Sequence, residues 1–124
     1  MRCMAGLSAV EVEPEVKTWL ERLSDRDFGR ADFLVGLLAE QAETLGEPYA
    51  RHLGGKVREL RSHLLAQQPR ITYWLAPGRR IILLTVFRKT KSAEAGEVAR
   101  ALQAQKTCET EHGPAHDTFN REAS

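Results

Sequence analysis

Apolar residues recur at Val16, Trp19, Leu20 and Leu23, the i, i+3, i+4, i+7 spacing that lines one side of a helix. Pro14 suits its first turn, where a missing N–H costs nothing. Ahead of it, Val10-Glu11-Val12 alternates and predicts a short strand. Ser24-Asp25-Arg26-Asp27 breaks the pattern, and Ser24 or Asp25 is placed to cap a second helix. That helix is expected to reach about Leu45, with Phe28, Ala31, Leu34, Val35, Leu38 and Ala42 on one face, before Gly46-Glu47-Pro48 ends it. So short a link between two helices predicts an antiparallel helical hairpin.

From Lys56 onward the apolar residues come in short runs between turn residues, and residues 57–60, 71–75 and 81–87 read as three strands. Pro77-Gly78 occupies the two central positions of a type II turn, so the last two strands should form an antiparallel hairpin. Residues 81–87 are apolar on both parities, as in a central strand covered on both faces. Val98, Ala99 and Leu102 mark a third helix over 94–105, and 112–119 reads as an irregular tail. The expected order is β-α-α-β-β-β-α: an α+β fold in which helices cover one face of a small antiparallel sheet. A chain of 124 residues, 42% apolar, supports one modest core. The expectation is one domain over 1–124, with its core at about 10–105 and a tail over 106–124.

No apolar run is long enough to span a bilayer, and the N-terminus lacks the pattern of a secretory signal, so a cytoplasmic protein without a membrane partner is expected. Cys3 and Cys108 have no metal-ligand spacing and read as free thiols.

The net charge of +1 hides a segregation. Residues 1–50 carry five Lys/Arg and ten Asp/Glu, residues 51–91 carry ten and one, and residues 92–124 carry three and six, giving −5, +9 and −3. A central segment whose one acid is Glu59 favours a polyanion; a solvated basic face without a duty is the other reading.

Strand parity decides which of these cations meet. Arg58 goes with Leu60, while Glu59, Arg61 and His63 share the opposite side. The hairpin about Pro77-Gly78 brings the start of one strand beside the end of the next, so Arg70 is expected near Arg88, with Lys89 next to it. There is no GxxxxGK[ST] or GxGxxG, and no carboxylate set for Mg²⁺ in the basic segment. A metal-free phosphate reaction is open to such residues: a base takes the proton of an RNA 2′-hydroxyl, arginines stabilise the crowded phosphate, and an acid protonates the departing 5′-oxygen. Arg61, Arg70 and Arg88 suit the middle role, and Lys89 or His63 the base. The plainer alternatives are a half-exposed His63, a Tyr73 that packs in the core instead of stacking a base, and a Glu59 that simply pairs with Arg61 or Arg58. His52, beside Gly54-Gly55, reads as a loop residue.

Three blocks carry a resemblance: Lys56-Val-Arg-Glu-Leu-Arg61, Arg70-Ile-Thr-Tyr73, and Ile82-Leu-Leu-Thr-Val-Phe-Arg-Lys89 followed by a helix with Glu97 and Ala101. Together they resemble the RelE/ParE toxin superfamily, most of all its phage-derived, HigB-like branch in bacterial type II toxin–antitoxin systems. The resemblance implies a microbial-RNase-like fold and an mRNA interferase, an endoribonuclease that cuts mRNA in the ribosomal A site without a metal or other cofactor. It implies as partners mRNA, the ribosome and a cognate antitoxin with a helix-turn-helix. Arg61, Arg70, Arg88 and Lys89 match the catalytic or phosphate-binding positions, and Lys56, Arg58, Tyr73 and Lys91 are expected to contact RNA. A ParE-like gyrase inhibitor and an inactive RNA-binding phage remnant are the alternatives. The acidic Glu11, Glu13, Glu15 and Glu21 are a candidate antitoxin surface.

Overall fold

The computed structural model describes residues 8–62, 65–88, 94–111 and 117–118. In chain order these form β1 (Ala9–Val12), α1 (Pro14–Glu21), α2 (Asp25–Glu40), β2 (Ala50–Gly54), β3 (Val57–Arg61), β4 (Pro69–Ala76), β5 (Arg80–Arg88), α3 (Glu94–Glu111) and β6 (Asp117–Thr118). The fold is α+β, built on one sheet of order β2-β3-β4-β5-β1-β6.

The expected helix signals operate as read. Pro14 opens α1, and the Ser24 hydroxyl accepts the Asp27 N–H at 3.1 Å to cap α2. Both helices pack on one side of the sheet, burying Val16, Leu20, Leu34 and Leu38 against Leu60, Ile71, Tyr73, Ile81 and Leu83. α3 lies on the other side, where Ala101 and Cys108 meet Val57, Trp74, Ile82 and Leu84. β5 therefore sits between two apolar layers, which is why both of its parities are apolar.

Four expectations need correcting. Helices cover both faces of the sheet rather than one. The sheet is mixed, because β1 runs parallel to β5 while the other pairs are antiparallel. The segment read as a loop around His52 is β2, paired antiparallel with β3 through a turn in which Gly55 takes φ +52. Finally the bounds differ: α2 ends at Glu40, earlier than expected, α3 runs on to Glu111, taking residues 106–111 out of the tail, and residues 117–118, read as irregular, form β6 against β1.

Two departures from regular strand geometry shape the site. The β4–β5 turn is one residue longer than a two-residue type II turn: Ala76 pairs with Arg80, and both Gly78 (φ +81) and Arg79 (φ +59) are left-handed. Further along, the register shifts, since Tyr73 pairs with Leu83 but Thr72 with Thr85, so one extra β5 residue is accommodated at Leu84. The Thr72 hydroxyl accepts the Thr85 N–H at 3.1 Å, satisfying a donor next to the bulge.

Candidate functional site

Where α3 leaves the sheet uncovered, β2, β3 and β4 present a run of charged side chains. Residues opposite one another on neighbouring strands share a face, and the register sets Arg51 opposite Glu59 and Arg61 opposite Arg70. Glu59 and Arg61, two apart on β3, point the same way. The result is one carboxylate ringed by three guanidinium groups. Oε2 of Glu59 lies 2.9 Å from Arg70 Nη1, 3.1 Å from Arg51 Nε and 3.5 Å from Arg61 Nε. Of the three, Arg70 donates a well-formed hydrogen bond. Arg61 is also 3.8 Å from Glu47.

Burial within the group is graded. The Glu59 side chain is 0% exposed, whereas those of Arg70, Arg61 and Arg51 are 15%, 23% and 36% exposed. The anion is shut in and the cations reach outward, so several of their N–H groups remain for a ligand. Arg61 and Arg70, with Pro48 and Gln68, line an open hollow of about 260 Å³. Its rim is a strained turn in which consecutive residues Gln67 and Gln68 take φ +64 and +46, a region costly for any residue with a Cβ and one that clusters at functional sites.

Arg61 and Arg70 are thus brought together as the sequence suggests, but Arg88 is not. Had the register of Tyr73 with Leu83 run on unshifted, Arg88 would leave β5 on the same face as Arg70. The register shift reverses this, pairing Arg70 with Phe87 and Pro69 with Arg88. Arg88 instead donates to Gln67 Oε1 at 3.0 Å and lines a different hollow, with Trp19, Pro69 and Val86. His63, Lys89 and Lys91 lie outside the described residues.

The expected RNA contacts are placed differently from one another. Lys56 is exposed, forms an ion pair with Glu109 of α3 and sits 5.9 Å from the Trp74 ring centroid. Arg58 faces the α1/α2 side, where its Nη2 donates to the Leu45 carbonyl at 3.0 Å and its Nε to the Tyr73 hydroxyl at 3.2 Å. Tyr73 is fully buried, the packing alternative, so its ring offers no face to a base. Burial pushes its phenol above the ordinary range, partly opposed by Arg58. Among the described residues no three His, Cys, Asp or Glu side chains converge in a way that would hold a metal ion.

Arg51 was not anticipated. Its membership depends on β2, and residues 50–54 lack the β-branched and aromatic run that announces a strand. The Gly54-Gly55 pair was the available signal, read as flexibility where it marks a tight reversal. The acidic N-terminal residues also differ from expectation. Glu11 takes Arg80 in a two-point ion pair at 3.0 and 3.1 Å, and Glu15 accepts the Val86 N–H at 3.0 Å and binds Arg100 of α3. These two carboxylates tie elements together instead of forming a free acidic face.

Residues 18–106 match the family model described as phage-derived protein Gp49-like (DUF891). The chain belongs to this family. Every residue of the arginine–glutamate group lies inside the matched span, which runs from within α1 to within α3 of the Gp49-like chain. No curated protein matches it. Among the described residues of this Gp49-like protein, no helix is long and apolar enough to cross a membrane.

Proposed function

We propose that this Gp49-like protein is the toxin of a type II toxin–antitoxin pair in the RelE/ParE manner, acting in the cytoplasm as a ribosome-dependent mRNA endoribonuclease. The observation that carries the reading is the group of Arg51, Arg61 and Arg70 around buried Glu59 beside an open hollow, a site with net charge +2 that suits one phosphodiester.

In this reading the scissile phosphate enters the hollow and Arg61 and Arg70 grip its non-bridging oxygens. Negative charge grows on those oxygens as the 2′-oxygen attacks phosphorus, and guanidinium groups already in place stabilise it without reorganising. The 2′-hydroxyl proton passes to a base as the bond to phosphorus forms. The bond from phosphorus to the 5′-oxygen then breaks, that oxygen takes a proton, and a 2′,3′-cyclic phosphate and a 5′-hydroxyl result. His63 and Lys89 are the candidates for the proton transfers. Lys56 and Lys91 are the candidates for further contacts with the RNA, and Arg88 holds the Gln67 rim. The antitoxin acts by covering the arginine group with an acidic or occluding segment.

Brief induction followed by sequencing of mRNA ends tests this reading. The expected result is cuts in ribosome-bound transcripts with reading-frame phase, lost in an Arg61→Ala, Arg70→Ala variant. Intact transcripts together with gyrase-linked DNA breaks would point to a gyrase inhibitor; ribosome binding without cuts would point to an inactive remnant.

A further inference from the structure

The geometry inside the charged group is uneven. All three guanidinium groups crowd Oε2 of Glu59, while Oε1 is equally shut away from water and has no hydrogen-bond partner among the described residues. A buried carboxylate is unfavourable unless it is paired, so Glu59 depends on the arginines. The dependence runs both ways. Three like charges at one end of a sheet repel each other, and without an anion between them long, flexible side chains separate into water.

We propose that Glu59 is the positioning residue of the site, holding Arg51, Arg61 and Arg70 as one preset group so that their outward N–H donors converge on a single phosphate. The inference rests on the phosphodiester-cleaving reading and deepens it, adding Arg51 as a third member of the grip. Glu59 does not touch substrate, because its side chain is fully buried on the inner side of the arginines. Its contribution is to fix, before RNA arrives, guanidinium orientations that would otherwise be fixed at the expense of binding and rate. Removing its charge takes the group from +2 to +3. That change strengthens attraction to a polyanion while loosening the geometry, so affinity and cleavage should move in opposite directions.

The test compares the full chain with its Glu59→Gln variant by three measurements: ¹⁵N relaxation of the arginine Nε–H groups, affinity for a fully 2′-O-methylated RNA oligonucleotide over a salt series, and single-turnover cleavage of mRNA on programmed ribosomes. In the wild type the Nε–H groups of Arg51, Arg61 and Arg70 should be rigid on the nanosecond timescale, unlike that of exposed Arg26. In Glu59→Gln they should become mobile, RNA affinity should hold or rise with a steeper salt dependence, and cleavage should fall by about 100-fold, the scale of a small misplacement of catalytic groups. A folded Glu59→Gln variant that cleaves normally, or that loses binding and cleavage together, overturns the proposal. So does one that loses cleavage while its guanidinium groups stay rigid, which would assign Glu59 a proton-transfer role. If Glu59→Gln does not fold, the wild-type relaxation data still decide, since guanidinium groups as mobile as that of Arg26 refute positioning. Arg51→Lys, which keeps charge but loses the planar fork, should then retain RNA affinity and lose cleavage; normal cleavage in Arg51→Lys counts against the proposal. A wild type that cleaves nothing, yet shows rigid guanidinium groups freed by Glu59→Gln, upholds the positioning and removes the nuclease reading.

Discussion

Arg61 and Arg70 stand opposite one another across the β3–β4 ladder and share a single counter-ion, Oε2 of Glu59, to which Arg70 also donates a hydrogen bond. Two like charges in that position repel unless an anion or a ligand sits between them. Replacing either by Ala should lower RNA cleavage by about 100-fold or more, as expected for losing one preorganised donor to a developing charge. Lys at either position restores the charge without the two-donor fork and should recover only part of the activity. Growth arrest on induction and single-turnover cleavage read both effects. Undiminished cleavage in the Arg61→Ala, Arg70→Ala double variant would remove this site from the reaction.

Arg88 supplies a contrast. Because it leaves β5 on the opposite face and holds Gln67, its replacement by Ala should damage cleavage less than either of those substitutions, acting through the rim of the hollow. The same cleavage measurement ranks the three. A loss at Arg88 equal to that at Arg61 would mean that it contacts the phosphate.

Tyr73 gives a pH signature. Burial raises its phenol above 10.0, so on alkaline titration the unfolded chain releases this proton first and the folded state binds more protons. The stability it contributes is therefore complete below pH 10 and is lost as pH rises through the higher folded value. Cys108, raised above 9.0 by burial, acts in the same direction. Chemical denaturation at several pH values should show this decline, with a shallower slope in Tyr73→Phe. At neutral pH that variant should be about 1 kcal/mol less stable, having lost the acceptor for Arg58 Nε.

Gly55 is sensitive for two separable reasons. Its φ of +52 disfavours a side chain, and a Cβ there would sit 3.3 Å from Leu102 Cδ2 of α3. Gly55→Ala is expected to destabilise by about 1 kcal/mol or more, measurable as a lower Tm. Because the turn aligns β2, the variant should also weaken cleavage through Arg51. A Tm equal to wild type would show that the turn relaxes without strain.

Much of this arrangement was legible from local pattern. The two-sided apolar run of β5 announced a strand between layers, Pro77-Gly78 announced its hairpin, and parity on β3 put Glu59 beside Arg61. What escaped depends on partners distant in sequence. Residues 50–54 become a strand because β3 offers them a ladder, and β1 aligns parallel to β5 although some seventy residues separate them. Neither pairing leaves a mark in its own segment. The slip at Leu84 is equally silent, since Thr72 and Thr85 are ordinary strand residues until one accepts the other's N–H.

That slip also limits how the basic end of β5 can vary. Side-chain direction along a strand has only two values, so with Thr72 held opposite Thr85 a one-residue change in length between 85 and 88 would not shift Arg88 gradually but would move it across the sheet, to the face that carries Arg70. Two-residue changes would restore its present side. Length variation in this segment therefore behaves as a toggle, and chains differing there by a single residue would gather different members of an otherwise identical set of cations on this face of the sheet.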